Sequence, residues 1–153
     1  MWGMLMRTHL AIAFFSAFFL LNHVAFKFTF IVVTLIATML PDIDSAFSTM
    51  GKHMIVRPIQ MLTKHRGFIH SFTLCLGISF LLALYLPVLA LPFFLGYAMH
   101  LLVDSFTIEG IRPFWPFKSE SRGVLRVGGS VEQAIFIGFC IVDLVLFVSL
   151  FLK

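Results

Sequence analysis

The amino-acid sequence predicts an all-α, polytopic membrane protein, a helical bundle with about five transmembrane helices in a single domain. Of its 153 residues, 60% are apolar and only 12% are charged. The mean hydropathy of +1.03 is also far from that of a soluble globular domain. Five spans of about 20 residues with short loops use up this length. We therefore expect one membrane-embedded domain over residues 1–153.

Five apolar runs define the predicted helices, at residues 8–21, 28–40, 67–86, 88–106 and 131–152. The first two are short, roughly 20 Å of helix against a hydrocarbon core of about 30 Å. They are predicted to be thin spans or a re-entrant hairpin that turns near Asn22 to Lys27. Both alternatives return the chain to the side where it started. Both therefore place His9 and Asp42 on the same side of the membrane.

Lysine and arginine are distributed unevenly between the two sides of the membrane. With the N-terminus inside, the cytoplasmic side carries nine of them: Arg7, Lys52, Arg57, Lys64, Arg66, Arg112, Lys118, Arg122 and Arg126. Only Lys27 and Lys153 fall outside. The positive-inside rule therefore predicts a cytoplasmic N-terminus and an external C-terminus. The net charge of +4 comes from basic residues in loops beside apolar runs, where they can contact anionic lipid. We therefore expect no nucleic-acid partner.

Ionisable residues gather at the cytoplasmic ends of all five predicted helices. In chain order they are His9, Asp42, Asp44, His65, His70, His100, Asp104 and Glu132. Helices that run in alternating directions have no packing reason to share this arrangement. Ionisable groups at membrane depth are costly unless they are paired, bound to metal or facing water. Their convergence on one layer predicts a functional site.

The local spacings suit metal coordination. His100 and Asp104 are four residues apart, so both project from one face of a helix. Asp42 and Asp44 are two residues apart, and in an extended turn their side chains point the same way. Each motif alone also fits a plainer interpretation, a satisfied polar pair or a capped turn. The coincidence of several such motifs on one side of the membrane favours a metal site.

The two histidines around the third helix complete the set. His70 is expected in the first turn of that helix, and Gly67 would allow His65 to lie on the incoming loop. Imidazole and carboxylate together are the ligands of zinc, manganese or iron. The sequence therefore predicts one or two divalent ions, with zinc first and manganese or iron as alternatives. All eight ionisable residues are candidate ligands.

The same residues lie in five motifs spread along nearly the whole chain. They are Arg7-Thr8-His9, Leu40-Pro41-Asp42-Ile43-Asp44, His65-Arg66-Gly67-Phe68-Ile69-His70-Ser71, the segment Gly96 to Asp104, and Thr107 to Gly110 followed by Trp115-Pro116-Phe117. In this order they resemble the LexA-regulated, membrane-bound metal-dependent hydrolases, the YdjM-like family of prokaryotic inner-membrane proteins. Ile69 departs from the family, which often has a small hydroxyl residue there. The resemblance implies a metal-dependent hydrolase in a prokaryotic inner membrane. By analogy only, the pattern is also similar to zinc-dependent phospholipase C enzymes.

We therefore expect hydrolysis of a phosphoester in a lipid or lipid-linked substrate at the cytoplasmic face. The core ligands would be His9, Asp42, His70, His100 and Asp104. Asp44, His65 and Glu132 would complete a second metal site or act as the base. Arg66 and Arg112 would hold a phosphate, although their role in setting topology explains them equally well. The aromatic segment 113–117 would lie in the membrane interface, where substrate can enter from the leaflet.

Two other classes of function fit parts of the pattern. A metal transporter or sensor would need polar groups along a path across the membrane, and Asp143 is the one serious candidate near the middle of a span. A structural membrane protein would use the metal only to pin the helix ends together. Enzymatic turnover, metal flux and metal-dependent folding distinguish the three.

Overall fold

The computed structural model describes residues 6–42 and 68–151, and within these residues the fold is helical. The helices are α1 (Met6–Leu20), α2 (Lys27–Met39), α3 (Phe72–Tyr85), α4 (Pro87–Ser105) and α5 (Ser130–Phe151). Short 3-10 turns follow α1 at Leu21–His23 and α2 at Leu40–Asp42. In the described ranges, extended pairing is limited to two isolated bridges in the segment between α4 and α5. The predicted helical fold class is confirmed.

The central helix is α4, which packs against α1, α2 and α3. It lies very close to α2 at Gly96, where an added Cβ atom would lie 2.1 Å from the carbonyl oxygen of Thr34. The hydroxyl of Thr38 donates to that same oxygen at 2.8 Å and lies 3.2 Å from the carbonyl oxygen of Gly96. Because Gly96 has no side chain, the two backbones touch. This contact fixes the end of α2, and with it Asp42, relative to α4.

Helix α5 lies at the edge of the bundle and packs mainly against α1. The contact includes an edge-to-face pair of Phe15 and Phe139, with ring centroids 5.3 Å apart. Glu132 is the one buried residue of α5 between positions 130 and 150. A helix that is apolar on nearly every side and exposed along its length suits contact with lipid.

All five helices present an end to the same side of the bundle. His9 near the start of α1 lies beside Asp104 near the end of α4. Asp42 after α2 lies beside His70 before α3, and Thr8 lies beside Glu132 at the start of α5. We call this side the polar end. The five helices therefore alternate in direction, as expected from the sequence, while the orientation of the polar end in a membrane stays a prediction.

The helices differ in their ability to cross a membrane. Two are long and apolar enough to do so, Pro87–Ser105 and Ser130–Leu150, whereas Phe72–Tyr85 is apolar but shorter. Helices α1 and α2 contain 15 and 13 residues, or about 20–22 Å at 1.5 Å per residue. The arrangement of five full spans stays a prediction.

The segment between α4 and α5 folds back over the start of α3. Bridges between Thr107 and Leu125 and between Ile111 and Ser121 close it into a loop. The backbone N–H of Phe72 donates to the carbonyl oxygen of Pro113 at 2.8 Å. This loop therefore belongs to the polar end.

Candidate metal centre

Four of the predicted ligands surround a common point at the polar end. Nε2 of His70 lies 3.7 Å from Oδ1 of Asp42 and 4.0 Å from Oδ2 of Asp104. Nε2 of His100 lies 3.7 Å from each of the same two oxygens. Ligands held at about 2.0–2.2 Å from a tetrahedral zinc ion are about 3.3–3.6 Å apart. The four donor atoms are therefore spaced almost as a coordination sphere requires.

His9 approaches the same cluster from α1. Its Nε2 lies 3.3 Å from Oδ1 of Asp104, and its ring stacks on that of His100 with centroids 4.1 Å apart. The two oxygens of Asp104 thus face different histidines. Such a carboxylate either bridges two ions or binds one ion while an outer histidine orients it.

The five residues form two overlapping groups of metal-binding geometry. One group is His9, His100 and Asp104; the other is Asp42, His70 and His100. Within each group the ligand atoms lie no more than 4.8 Å apart. Each group contains two imidazoles and one carboxylate, a common ligand set for zinc and for non-haem iron.

The cluster is almost completely buried. The three histidines and Asp104 are at most 3% exposed, while the side chain of Asp42 is 20% exposed. Both ring nitrogens of His9 and of His100, and Nδ1 of His70, have no hydrogen-bond partner among the described residues. Buried polar atoms without partners are costly, and a cation would satisfy the nitrogens that face the carboxylates. These side chains therefore fit a divalent metal ion.

Asp42 is held in its charged form. Burial by itself raises the pKa of the Asp42 carboxyl, but the adjacent imidazoles of His70 and His100 outweigh it, and the pKa lies below the ordinary aspartate value. The carboxylate is the form that binds metal. Asp42 lies in a 3-10 turn, so the expected extended turn is wrong at this residue. The reason is that the N–H of Leu40 bonds to the carbonyl of Ala37, which continues and tightens the end of α2.

The expected position of His70 within the first turn of a helix is also wrong. Helix α3 begins at Phe72, because Ser71 is its N-cap and accepts a hydrogen bond from the N–H of Leu74 at 3.3 Å. The Ser71 hydroxyl in turn donates to the carbonyl oxygen of Phe68 at 2.6 Å. His70 therefore lies in a turn that precedes the helix.

Tyr97 is part of this arrangement and was not among the predicted site residues. Its hydroxyl donates to the carbonyl oxygen of Ile69 at 2.5 Å. The only signal in the sequence is its position three residues before His100, on the same side of α4.

Glu132 is hydrogen-bonded to the residue that precedes His9. Its two carboxylate oxygens accept hydrogen bonds from the hydroxyl of Thr8, at 3.1 Å, and from the N–H of Gly128. Thr8 directly precedes His9, so Glu132 connects α5 to the part of α1 that carries a candidate ligand. Among the described residues Glu132 does not belong to either metal-binding group. A role for Glu132 as a ligand or base stays a prediction.

Three further predicted residues, Asp44, His65 and Arg66, lie outside the described residues. Arg112, the other predicted phosphate-binding residue, donates to Glu120 through Nε and Nη2, at 3.1 and 2.8 Å. Arg122 donates to the other oxygen of Glu120 at 2.6 Å. The hydrogen bond from Arg112 and the charge of Arg122 lower the pKa of this exposed carboxyl. Arg112 is therefore engaged by an ion pair that the sequence did not predict.

Asp143 is remote from the cluster along α5. It comes eleven residues after Glu132, or about 16 Å along the helix axis. Its side chain is half-buried, and Oδ1 has no hydrogen-bond partner among the described residues. Asp143 is therefore not part of the metal cluster.

Comparison with known proteins shows which family of sequences the chain resembles. The family model described as "YdjM inner membrane protein" matches residues 4–151. The chain is similar to the uncharacterized protein YvsG of Bacillus subtilis (strain 168), with 26% identity over 122 residues that cover 76% of each protein. It is also similar to the inner membrane protein YdjM of Escherichia coli (strain K12), with 34% identity over 116 residues. That alignment covers 66% of this chain and 58% of the Escherichia coli protein. No solved structure matches the chain.

Proposed function

The chain belongs to the family of YdjM inner membrane proteins, and from this premise we propose that it is a membrane-bound, metal-dependent hydrolase of a lipid or lipid-linked phosphoester. The observation that carries the proposal is the buried cluster of three imidazoles and two carboxylates at the polar end. Ionisable groups inside a membrane protein are rare and usually serve function. A bundle that needed only stability would fill this space with apolar side chains.

In this proposal all five helices cross the inner membrane, with the polar end and the N-terminus on the cytoplasmic side. Arg7 at the start of α1, and Arg112 and Arg122 in the loop after α4, are basic residues at the polar end, as the positive-inside rule requires. Helices α1, α2 and α3 are short, so the bilayer would thin locally around them. The C-terminus then lies outside.

One ion would be held by His70, His100, Asp42 and Asp104. His9, with the second oxygen of Asp104, would contribute to a second ion or would orient Asp104. Zinc suits the mixture of imidazole and carboxylate, and manganese or iron is the alternative. When bound, a divalent cation supplies Lewis-acid chemistry, lowering the pKa of a water molecule and polarising a phosphoryl oxygen.

The protein's own residues have separate tasks in this reaction. The four most buried donors exclude bulk water and hold the ligand geometry, whereas Asp42 forms the partly open edge of the cluster. Asp44 and His65 are proposed as the base or as ligands of a second ion, because they are close in sequence to Asp42 and His70. Glu132 accepts hydrogen bonds at both oxygens, so its proposed task is to hold α1.

A lipid substrate is proposed because of the location of the site. The loop after α4 exposes Phe114, Trp115 and Phe117 at the polar end. Aromatic side chains favour the headgroup region of a membrane. A site at this depth can receive a phosphoester directly from the leaflet.

Turnover in reconstituted vesicles tests the proposal. We expect wild-type protein to release phosphate or a phosphorylated headgroup from vesicle lipids, to lose activity in chelator and to recover it with added zinc or manganese. Asp42→Ala and His100→Ala should each lower turnover by more than the roughly 10–100-fold that loss of an outer-shell partner costs. His23→Ala is the matched control, because His23 is exposed at the opposite end of α1.

Three results would contradict the proposal. Full activity in an Asp42→Ala, His100→Ala double variant would exclude the cluster from catalysis. Metal flux into the vesicles without turnover would favour a transporter. Bound metal without turnover on any lipid, together with unfolding when the metal is stripped, would favour a structural role.

A further inference from the structure

We infer that Tyr97 is a positioning residue that holds His70 in place for metal binding, an inference that rests on the proposed function. The Tyr97 hydroxyl donates to the carbonyl oxygen of Ile69 at 2.5 Å. That carbonyl belongs to the peptide bond directly before His70. This hydrogen bond connects α4 to the backbone that carries a ligand from another element.

His70 needs such a connection because it is not part of a helix. His100 and Asp104 are positioned by the regular hydrogen bonds of α4. His70 lies in the turn at residues 68–71, before α3 begins. Ser71 and Pro113 organise the start of α3, whereas the bond from Tyr97 ties the turn to the helix that carries the other ligands.

Tyr97 itself is rigidly placed. It is 2% exposed and belongs to the main apolar core. Its ring packs on Phe93 with centroids 5.6 Å apart. Helix α4 therefore carries His100, which is a candidate metal ligand. Three residues earlier it carries the Tyr97 hydroxyl, which holds the backbone next to the ligand His70.

The hydrogen bond from Tyr97 is important because a metal ion requires its ligand atoms at precise distances. Zinc binds histidine nitrogen at about 2.0–2.1 Å, and deviations beyond about 0.2 Å disqualify a ligand. A turn that moves freely by more than this would present His70 in the wrong place for much of the time. Outer-shell partners of metal ligands typically change metal affinity by about 10–100-fold.

The experiment compares full-length wild type, Tyr97→Phe and Tyr85→Phe in one detergent. Tyr97→Phe keeps the packed ring and removes only the hydroxyl. Tyr85→Phe is the matched control, because Tyr85 is 78% exposed at the far end of α3. The measurements are affinity for Zn²⁺ and Co²⁺, the visible absorption of the Co²⁺ form, and hydrogen exchange of a peptide covering residues 68–75 in the metal-free protein.

We expect Tyr97→Phe to weaken metal affinity by about tenfold or more, to shift the Co²⁺ absorption and to speed exchange at residues 68–75, with exchange in the other helices unchanged. Tyr85→Phe should match the wild type in every measurement. Metal affinity in Tyr97→Phe equal to that of the wild type would overturn the inference. Faster exchange spread over the whole bundle would also overturn it, because Tyr97 would then act only in general stability.

The inference and the proposed function can fail separately. If the wild type binds no metal ion, the proposed function fails. Exchange at residues 68–75 then decides alone whether Tyr97 holds the His70 turn. If the wild type binds metal and Tyr97→Phe binds it equally well, only the inference fails.

Discussion

The α2–α4 pair and the α1–α5 pair both bring polar side chains to the polar end, but through different kinds of contact. Helices α2 and α4 meet backbone to backbone at Gly96 and carry Asp42, His100 and Asp104. Helices α1 and α5 meet through aromatic rings and the bond from Thr8 to Glu132, and of the residues in the two metal-binding groups they carry only His9. Close packing of small residues therefore positions most of the ligands. The α1–α5 pair, which we call the outer pair, supports them from one side.

The largest effect is expected from Gly96→Ala. The new Cβ would lie 2.1 Å from the Thr34 carbonyl oxygen, so α2 and α4 must separate. Overpacking of this kind typically costs about 1–3 kcal/mol. The separation also moves Asp42 away from His100. Calorimetry and zinc titration should show a lower unfolding temperature and loss of metal binding.

Two other glycines provide the control for that variant. A Cβ added at Gly77 in α3 or Gly138 in α5 would meet no atom within 4 Å. Gly77→Ala and Gly138→Ala should therefore bind metal like the wild type. Wild-type metal affinity in Gly96→Ala would show that the backbone contact does not position the ligands.

A smaller effect is expected from Glu132→Gln, which tests the outer pair. Glutamine can accept at only one of its two terminal atoms, so the bond from Thr8 or the bond from Gly128 is lost. Metal affinity should fall by up to about tenfold, the lower end of outer-shell effects. The exposed neighbour Gln133, changed to Ala, is the control. Complete loss of binding in Glu132→Gln would instead make Glu132 a ligand.

The smallest effect is expected from Glu120→Gln, in a loop outside both helix pairs. Arg112 and Arg122 lower the pKa of Glu120, so its ion pairs stabilise the fold above the ordinary glutamate pKa of about 4.3 and are lost as the pH falls through the lowered value. Because the groups are exposed, the change in unfolding temperature at neutral pH should be small and should vanish in high salt. An effect as large as that of Gly96→Ala would show that this loop supports the site.

The sequence was sufficient to predict which polar residues gather at one end of the bundle. Apolar runs place each helix to within a few residues. Helices of alternating direction then bring His9, Asp42, His70, His100 and Asp104 to one side of the bundle. The i, i+4 spacing correctly predicted that His100 and Asp104 face a common point. The order of apolar and polar residues is enough to predict these two features, because both depend only on residues that are near in sequence.

Contacts between distant residues could not be predicted in this way. Hydropathy does not say that Gly96 faces Thr34, and the bond from Tyr97 to Ile69 depends on how α3 and α4 are rotated. Likewise, Arg112 meets Glu120 only because the loop folds back on itself. The start of α3 was misplaced since Ser71, a good N-cap, competes with a longer helix.

The central claim is that the buried cluster holds a divalent metal, and metal content tests it most directly. Purified wild type and Asp104→Asn, a variant of nearly equal shape, would be stripped with chelator, incubated with zinc, manganese or iron(II), desalted and analysed by elemental mass spectrometry. We predict at least one tightly bound ion per wild-type chain and almost none in Asp104→Asn, because Asp104 faces all three histidines. No retained ion in the wild type, or equal retention in both proteins, would contradict the account.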